Sequence, residues 1–413
     1  MTSACTDDAF TETALPGPAQ ERPGQADRPT VVVYTHSLLE PSMTFILSHA
    51  QALRRYEPVF AGAHRVQGLA LPADRVVTAN RGGLTGRIEE FLFRQYGIAP
   101  CFVRDLRRFE PKLVHAHFGQ SGPGALTLAE ALGVPLVLTY HGQDATITEA
   151  QARRTWRGRE YLRGRARVMD RAGLIIAVSD FIRGRLVAKG YPEHKVVTFR
   201  NGIDVGLFQR SVAPREPVAV FIGRFVEKKG GEYLLRALGR LRAQGRGVRG
   251  VLIGDGPLRP ALESLAREVG ADAEFTGFLA PARVRERIGR ASVVVVPSVT
   301  AADGDSEGLP TVILEAQAMG TPVVATRHAG NAEGVREGRS ALLVDERDVP
   351  ALADAIHYFI EHPESVASFG AAGRAFVETN FDIEQQAVGL ERLYDRTRQQ
   401  AEDAAHGGVA CRA

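Results

Sequence analysis

Cysteine is scarce in this chain of 413 residues: there are three, Cys5, Cys101 and Cys411. They are odd in number and scattered, and two lie near the ends, so neither a disulfide framework nor a cysteine-based metal site is expected. A reducing compartment fits that usage. Long apolar runs are missing as well. Stretches such as Gly173–Val178 and Val293–Pro297 have the length of a strand and are too short to cross a bilayer. The N-terminus is acidic and has no apolar h-region, which argues against a secretory signal and makes the cytoplasm the expected location. Net charge is only +3, too small to name a partner by itself.

The charge that is present is unevenly spread. Residues 29–205 hold 24 Lys and Arg against 15 Asp and Glu, whereas residues 206–413 hold 25 against 28. A basic first half leaves nucleic acid, anionic lipid and a phosphorylated substrate open as partners.

Residues 1–28 are rich in Pro, Ala, Gly and acids without periodicity and read as a disordered tail. A rhythm of β-branched run, turn and amphipathic helix follows. Thr30–Tyr34, Val59–Ala61, Leu113–Ala116, Leu136–Tyr140, Leu174–Val178 and Val196–Phe199 read as strands, with helical spacing in Phe45–Arg55 and Gly124–Leu132. Two prolines and polar residues interrupt the rhythm between Val205 and Pro217. It then restarts with strands at Val218–Ile222, Gly250–Ile253, Glu274–Thr276, Val293–Pro297, Thr321–Ala325 and Ala341–Val344. Alternation of this kind predicts an α/β chain with helices on both faces of parallel sheets. The expected architecture is two tandem Rossmann-like domains, 29–207 and 208–380, with a cleft between them. Residues 381–400 are expected to form a helix that crosses back to the first domain, followed by a tail, 401–413.

Gln151–Ala172 stands apart, with eight Arg and only Glu160 and Asp170 as acids. Trp156, Tyr161, Leu162, Val168 and Met169 are interleaved. An amphipathic helix on an anionic membrane and a solvated arginine-rich helix are equal readings.

Open α/β sheets bind ligands beyond the carboxyl ends of their strands, and two domains place that site in the cleft. Three strand ends in the second half carry the relevant residues. GRFVEKKGG, Gly223–Gly231, projects Arg224 and Lys229 from a loop leading into a helix, an arrangement suited to a diphosphate; a solvated surface loop is an equal reading. FTGFL, Phe275–Leu279, could read the edge of a base, which sets Phe278 at the ligand; a turn glycine explains it as well. In TAADGDSEGLPTVILEAQ, Pro310 suits a helix's first turn, and the amides of Gly308, Leu309 and Thr311 are free for an anion. Glu307 before that helix and Glu315 inside it are acceptors for sugar hydroxyls. GDGP, Gly254–Pro257, is no dinucleotide fingerprint, because Arg259 stands at the third glycine position.

Taken in order, HAHFG (His115–Gly119), TYHGQD (Thr139–Asp144), RNGID (Arg200–Asp204), GRFVEKKG (Gly223–Gly230) and SEGLPTVILEAQAMGTPVVAT (Ser306–Thr326) resemble the retaining glycosyltransferases of family 4, which have the two-domain GT-B fold. The match covers roughly Leu113–Glu378. The resemblance implies a nucleotide-diphosphate sugar as donor, with no further cofactor, and a glycan or lipid-linked saccharide as acceptor. Arg224 and Lys229 match the positions that hold the diphosphate. Glu315 matches the position contacting ribose, and Glu307 the position near the transferred sugar. His141 matches the histidine beside the donor sugar. His115 and His117 are expected to be packed strand-end residues.

The loop after the first strand, THSLLEPSMTFILSHAQALRR, lacks the glycines of many members. Its Pro-Ser-x-Thr-Phe-Ile form resembles the subgroup that builds exopolysaccharides of the colanic acid and amylovoran kind. Ser42 and Thr44 are expected to cap the following helix or to touch the acceptor. The implied reaction is glycosyl transfer with retention, at an inner membrane face if Gln151–Ala172 docks there, with no metal ligands and no nucleic acid involved. The competing reading is a non-catalytic nucleotide-sugar or glycan-binding module on the same fold.

Overall fold

The structure is a computed structural model that describes residues 28–210 and 214–410. Residues 1–27 of the expected tail, with Cys5, and the last three residues, with Cys411, lie outside the described residues.

Seven parallel strands form the first sheet: β1 (Thr30–Tyr34), β2 (Glu57–Gly62), β3 (Val76–Thr78), β4 (Pro111–His117), β5 (Leu136–Tyr140), β6 (Leu174–Ala177) and β7 (Val196–Thr198), in the order β3-β2-β1-β4-β5-β6-β7. Six parallel strands form the second: β8 (Glu216–Ile222), β9 (Arg249–Ile253), β10 (Ala273–Gly277), β11 (Ala291–Val296), β12 (Val323–Thr326) and β13 (Ala341–Val344), in the order β10-β9-β8-β11-β12-β13. The strands are near-continuous apolar runs because both faces are covered. In β1, Val32 and Tyr34 enter one core with the helix Gly122–Leu132, while Val31 enters another with Leu390 and Tyr394. Both sheets reverse strand order beside their first strand, between β1 and β4 and between β8 and β11. Those switch points open crevices at the carboxyl ends of β4, β8 and β11.

The chain crosses between the sheets twice, and the two crossings pair. The Ile203 amide donates to Phe381 O at 2.7 Å, and the Ile383 amide donates to Ile203 O at 3.0 Å. From there one helix, Ile383–Ala410, runs back over the first sheet and continues past the expected end at Gln400. Glu391 on it is 1% exposed and accepts from the amides of Arg54 and Arg55 at 2.7 and 2.6 Å. Tyr56 donates to Asp395 at 2.7 Å.

Gln151–Ala172 is not one helix. Glu149–Ala152 forms a short turn, and Trp156–Arg171 starts anew where Thr155 Oγ1 accepts from the Gly158 amide at 3.0 Å. Tyr161 and Val168 are buried, and Leu162 and Met169 pack against the same core. The apolar residues of this helix therefore point inward, and arginines make its outer surface. Ser42 and Thr44 do not cap their helix, Thr44–Ala52: its N-cap is Met43, no side chain caps it, and both hydroxyls lie at an exposed turn.

Candidate active site

The loop after β8 closes in a 3₁₀ turn, Glu227–Lys229, followed by Gly230 at φ +68°. Only glycine fits there, since a Cβ would fall 1.8 Å from Pro297 O at the end of β11. That contact sets the turn beside the polar loop after β11. Lys228 Nζ then lies 2.9 Å from Asp305 Oδ1, and Lys229 Nζ lies 2.9 Å from Glu307 Oε1. The Lys229 stem runs over Gly223, where a Cβ would stand 3.4 Å from Lys229 Cδ. Arg224 is exposed and has no ion-pair partner among the described residues.

Glu307 is 7% exposed. Burial would raise its carboxyl, but Lys229 and Lys228 outweigh burial and hold it below its ordinary value. Its amide donates to His328 Nε2 at 3.2 Å, which leaves the imidazole proton on Nδ1, 2.6 Å from Glu346 Oε1. Pro310 is the N-cap of the next helix, Thr311–Ala318, one position before the expected first turn. The amides of Gly308, Leu309 and Thr311 donate to no group among the described residues. Burial pushes the Glu315 carboxyl up, against an opposing hydrogen bond from Thr311.

The first domain meets this loop with His141 and Gly142, just after β5. Asp144 shapes that turn by accepting from the amides of Gly119 and Gly142, both at 2.8 Å, and from that of His141 at 3.1 Å. The His141 ring lies between Phe45 and Phe118, with centroids at 4.9 and 4.8 Å. His141 Nε2 is 3.1 Å from His117 Nδ1, and Nδ1 of His141 is buried without a partner. Burial, with His115 and His49 nearby, lowers His141 to about 3, so the ring is neutral near pH 7. Phe118, at φ +67°, is a non-glycine residue in the left-handed region, held by its amide bond to Thr139 O at 2.9 Å.

The two halves interlock here. A Cβ on Gly308 would sit 1.9 Å from His141 O, and one on Gly330 would sit 1.8 Å from Gly308 O. The Ser306 amide donates to Thr146 Oγ1 at 3.1 Å. Glu333 accepts from the amides of Asp180 and Phe181 at 2.9 and 3.0 Å, at the N-terminus of the helix Asp180–Ala188, and pairs with Arg200 at 2.7 Å. The result is a cleft floor with a neutral imidazole on one wall. On the other wall are two lysines, a buried carboxylate and a row of free amides.

Comparison with known proteins decides the family. The family described as Glycosyltransferase Family 4 matches residues 42–207, and glycosyl transferases group 1 match residues 216–362. A colanic acid biosynthesis glycosyltransferase, WcaL, of Salmonella typhimurium is 35% identical over 288 residues, covering 67% of this chain and 68% of that protein. The chain is a family 4 glycosyltransferase. The amylovoran biosynthesis glycosyltransferase AmsK of Erwinia amylovora is 29% identical over 326 residues, 75% of this chain and 78% of that one. Among solved structures, Anabaena HepE in complex with UDP and glucose superposes with a TM-score of 0.69 at 19% identity, covering 89% of this chain and 100% of that one. The likeness shows the GT-B fold of this glycosyltransferase.

Of the residues expected at the site, the fold of the glycosyltransferase brings Lys229, Glu307, Gly308 and His141 into one contact region. Leu309 and Glu315 follow on the same loop and helix. Phe278 stands 82% exposed just past β10. Arg224 is on the surface of the β8 loop, and Ser42 and Thr44 lie across on the first domain. His115 and His117 are buried at the end of β4, as expected, and His117 stands behind His141. Three residues that the sequence did not single out belong to the framework: Asp144 under the turn, Lys228 on Asp305, and His328 behind Glu307. The alternation His-Ala-His was a usable signal, because it sets His115 and His117 on one face of β4, next to the β5 end that carries His141.

Proposed function

We propose that this glycosyltransferase moves a sugar from a nucleoside-diphosphate sugar to a hydroxyl of a glycan or lipid-linked saccharide, with retention, in the assembly of a cell-surface polysaccharide. The single observation that carries the reading is the Lys229–Glu307 pair at the mouth of the free Gly308, Leu309 and Thr311 amides, set directly against His141. Departure of the nucleoside diphosphate builds negative charge on its phosphates. Lys229, Arg224 and those amides would stabilise that charge as it develops. Glu315 would accept from the ribose hydroxyls, and Phe278 offers an aromatic face to the base. His141 and Glu307 would orient the sugar. In this reading the acceptor oxygen attacks the anomeric carbon from the leaving-group side as the carbon–oxygen bond to phosphate breaks, and the departing phosphate oxygen takes the acceptor's proton.

Support for the polysaccharide role comes from the relatives, named for colanic acid and amylovoran synthesis. The donor class is supported by the fold shared with a UDP complex. The test is a thermal-shift screen of the full chain against UDP-, GDP- and ADP-sugars, followed by transfer to lipid-linked acceptors with the anomeric configuration read by NMR. Binding of a nucleotide sugar without transfer of its sugar to any acceptor would favour a binding module. An inverted product would overturn the retaining step.

A further inference from the structure

We propose that the helix Gly83–Tyr96 is a docking surface for an anionic membrane. The proposal concerns a face outside the interdomain cleft and does not depend on which donor or acceptor the enzyme uses.

This helix is built inside out for a helix facing water. Its inner face is formed by Gly86, Glu89 and Phe93. Gly86 lets the helix sit on the Arg81 backbone, where a Cβ would fall 2.7 Å from Arg81 N. Glu89 accepts from the Phe102 amide at 2.8 Å, and Phe93 packs edge-on to Tyr34 and Phe102. The opposite stripe, Leu84, Ile88 and Phe91, points to solvent at spacings of four and three residues. These residues are 74%, 49% and 56% exposed, and Tyr96 and Ile98 beside them are 68% and 53% exposed. Most of the large hydrophobic side chains left exposed among the described residues therefore fall within fifteen consecutive positions. An apolar face of that kind marks an interaction site, since scattered exposed hydrophobics do not line up on one stripe.

Charge selects the partner. Arg87 flanks the stripe and has no ion pair among the described residues. Arg94, on the same side, stacks over Trp156 at 4.4 Å and so ties this helix to the arginine-rich helix Trp156–Arg171. That neighbour turns its apolar residues inward and leaves Arg157, Arg159 and Arg163 exposed, none paired with an acid among the described residues. One helix thus supplies an apolar edge and the next supplies cations. An interfacial element that inserts shallowly into an anionic leaflet combines these two properties. A second protein with an apolar groove would not require the flanking arginines, and a nucleic acid would not require the Leu84–Ile88–Phe91 stripe. Among the described residues no helix is long and apolar enough to span a bilayer, so contact would be with the surface.

The experiment is co-sedimentation of the full chain with vesicles of phosphatidylcholine alone and with about a third phosphatidylglycerol. The expected result is at least about fivefold more protein bound to the anionic vesicles, weakened by salt. The double variant Leu84→Glu/Phe91→Glu should lower that binding about tenfold or more, and Arg87→Glu should lower it several-fold. Both variants should keep the wild-type melting temperature and transfer rate to a water-soluble acceptor, because these side chains are exposed and away from the cleft. Equal binding to both vesicle types would overturn the proposal, as would unchanged binding by the double variant. A dimer in solution that the double variant dissociates would assign the stripe to a second copy of the chain and would also overturn it. Failure of the donor screen above would leave this outcome untouched, so the two readings stand or fall separately.

Discussion

Lys229 Nζ and Glu307 Oε1 lie 2.9 Å apart across two loops that enter the cleft from different strands, β8 and β11. The pair keeps a buried carboxylate ionised before any donor arrives, and a diphosphate entering the cleft competes for the same ammonium group. Replacing Lys229 by Ala should lower kcat/KM by about 10²–10³-fold, since it removes a cation from the developing charge. It should also free burial to raise Glu307. The acid limb of the pH–rate profile, held below the ordinary glutamate range in the wild type, should then move to higher pH. Rates measured across pH for K229A and E307Q check this. An acid limb at the same pH in K229A as in wild type would mean that Lys229 does not set the Glu307 carboxyl.

Gly308 is a contact between domains. Its missing side chain admits His141 O, where a Cβ would lie at 1.9 Å, and the neighbouring contact at 2.8 Å is Val178 Cγ2. Ala at this position should force the walls apart by about an ångström, enough to cost on the order of 10²-fold in kcat. Gly247 is the matched control: a Cβ there would meet nothing within 4 Å, and its backbone is not left-handed. The G247A variant should be silent while G308A loses turnover with little change in melting temperature. Full activity in G308A would show that the domains do not close through this point.

The returning C-terminal helix is held by a buried carboxylate. Glu391 serves two backbone amides and the Arg55 guanidinium, at 2.7, 2.6 and 3.2 Å. Truncation to Ala strands both amides and should cost about 2–3 kcal/mol of stability, measured by urea unfolding. Gln keeps one acceptor oxygen and should fall between wild type and E391A.

Much of the fold was readable because buried parallel strands are runs of β-branched residues, and the strands fall where those runs stand, except the three-residue edge strand Val76–Thr78, which is too short to show a run. Loop chemistry was readable too, since Gly-Leu-Pro and Glu307 lie within one short stretch. Relations between distant segments were not. His117 matters through its 3.1 Å contact with His141, and neither residue alone reveals it. Glu333, in a stretch with no motif, turned out to serve the N-terminus of a helix in the other domain. Hydrophobic residues at helical spacing in Trp156–Arg171 and Gly83–Tyr96 carry no label of inside or outside. Val168 is fully buried and Leu84 is 74% exposed, a difference that only packing decides.

Buried histidines of the N-terminal half make stability depend on pH, His49, His115 and His141 among them, with His117 and His36 shifted in the same direction by burial. His49 accepts from the Gly202 amide through Nε2 at 2.7 Å, His115 bonds Tyr394 and Thr139, and His141 faces the cleft. Burial lowers them from an ordinary 6.5 to about 4 at His49 and about 3 at His115 and His141. Between those limits the unfolded chain binds protons that the folded one refuses, so stability rises with pH. The full contribution is present above about 6.5 and is lost progressively as pH falls toward 4. Each such imidazole adds up to about 1.4 kcal/mol per pH unit to the slope inside that window. Urea unfolding between about pH 7 and pH 5 should show stability falling steeply on acidification. His49→Gln keeps an acceptor for the Gly202 amide and removes the titrating group, so its slope should be shallower by about one proton's worth. An unchanged slope in H49Q would mean that His49 binds its proton equally well in the folded and unfolded chains.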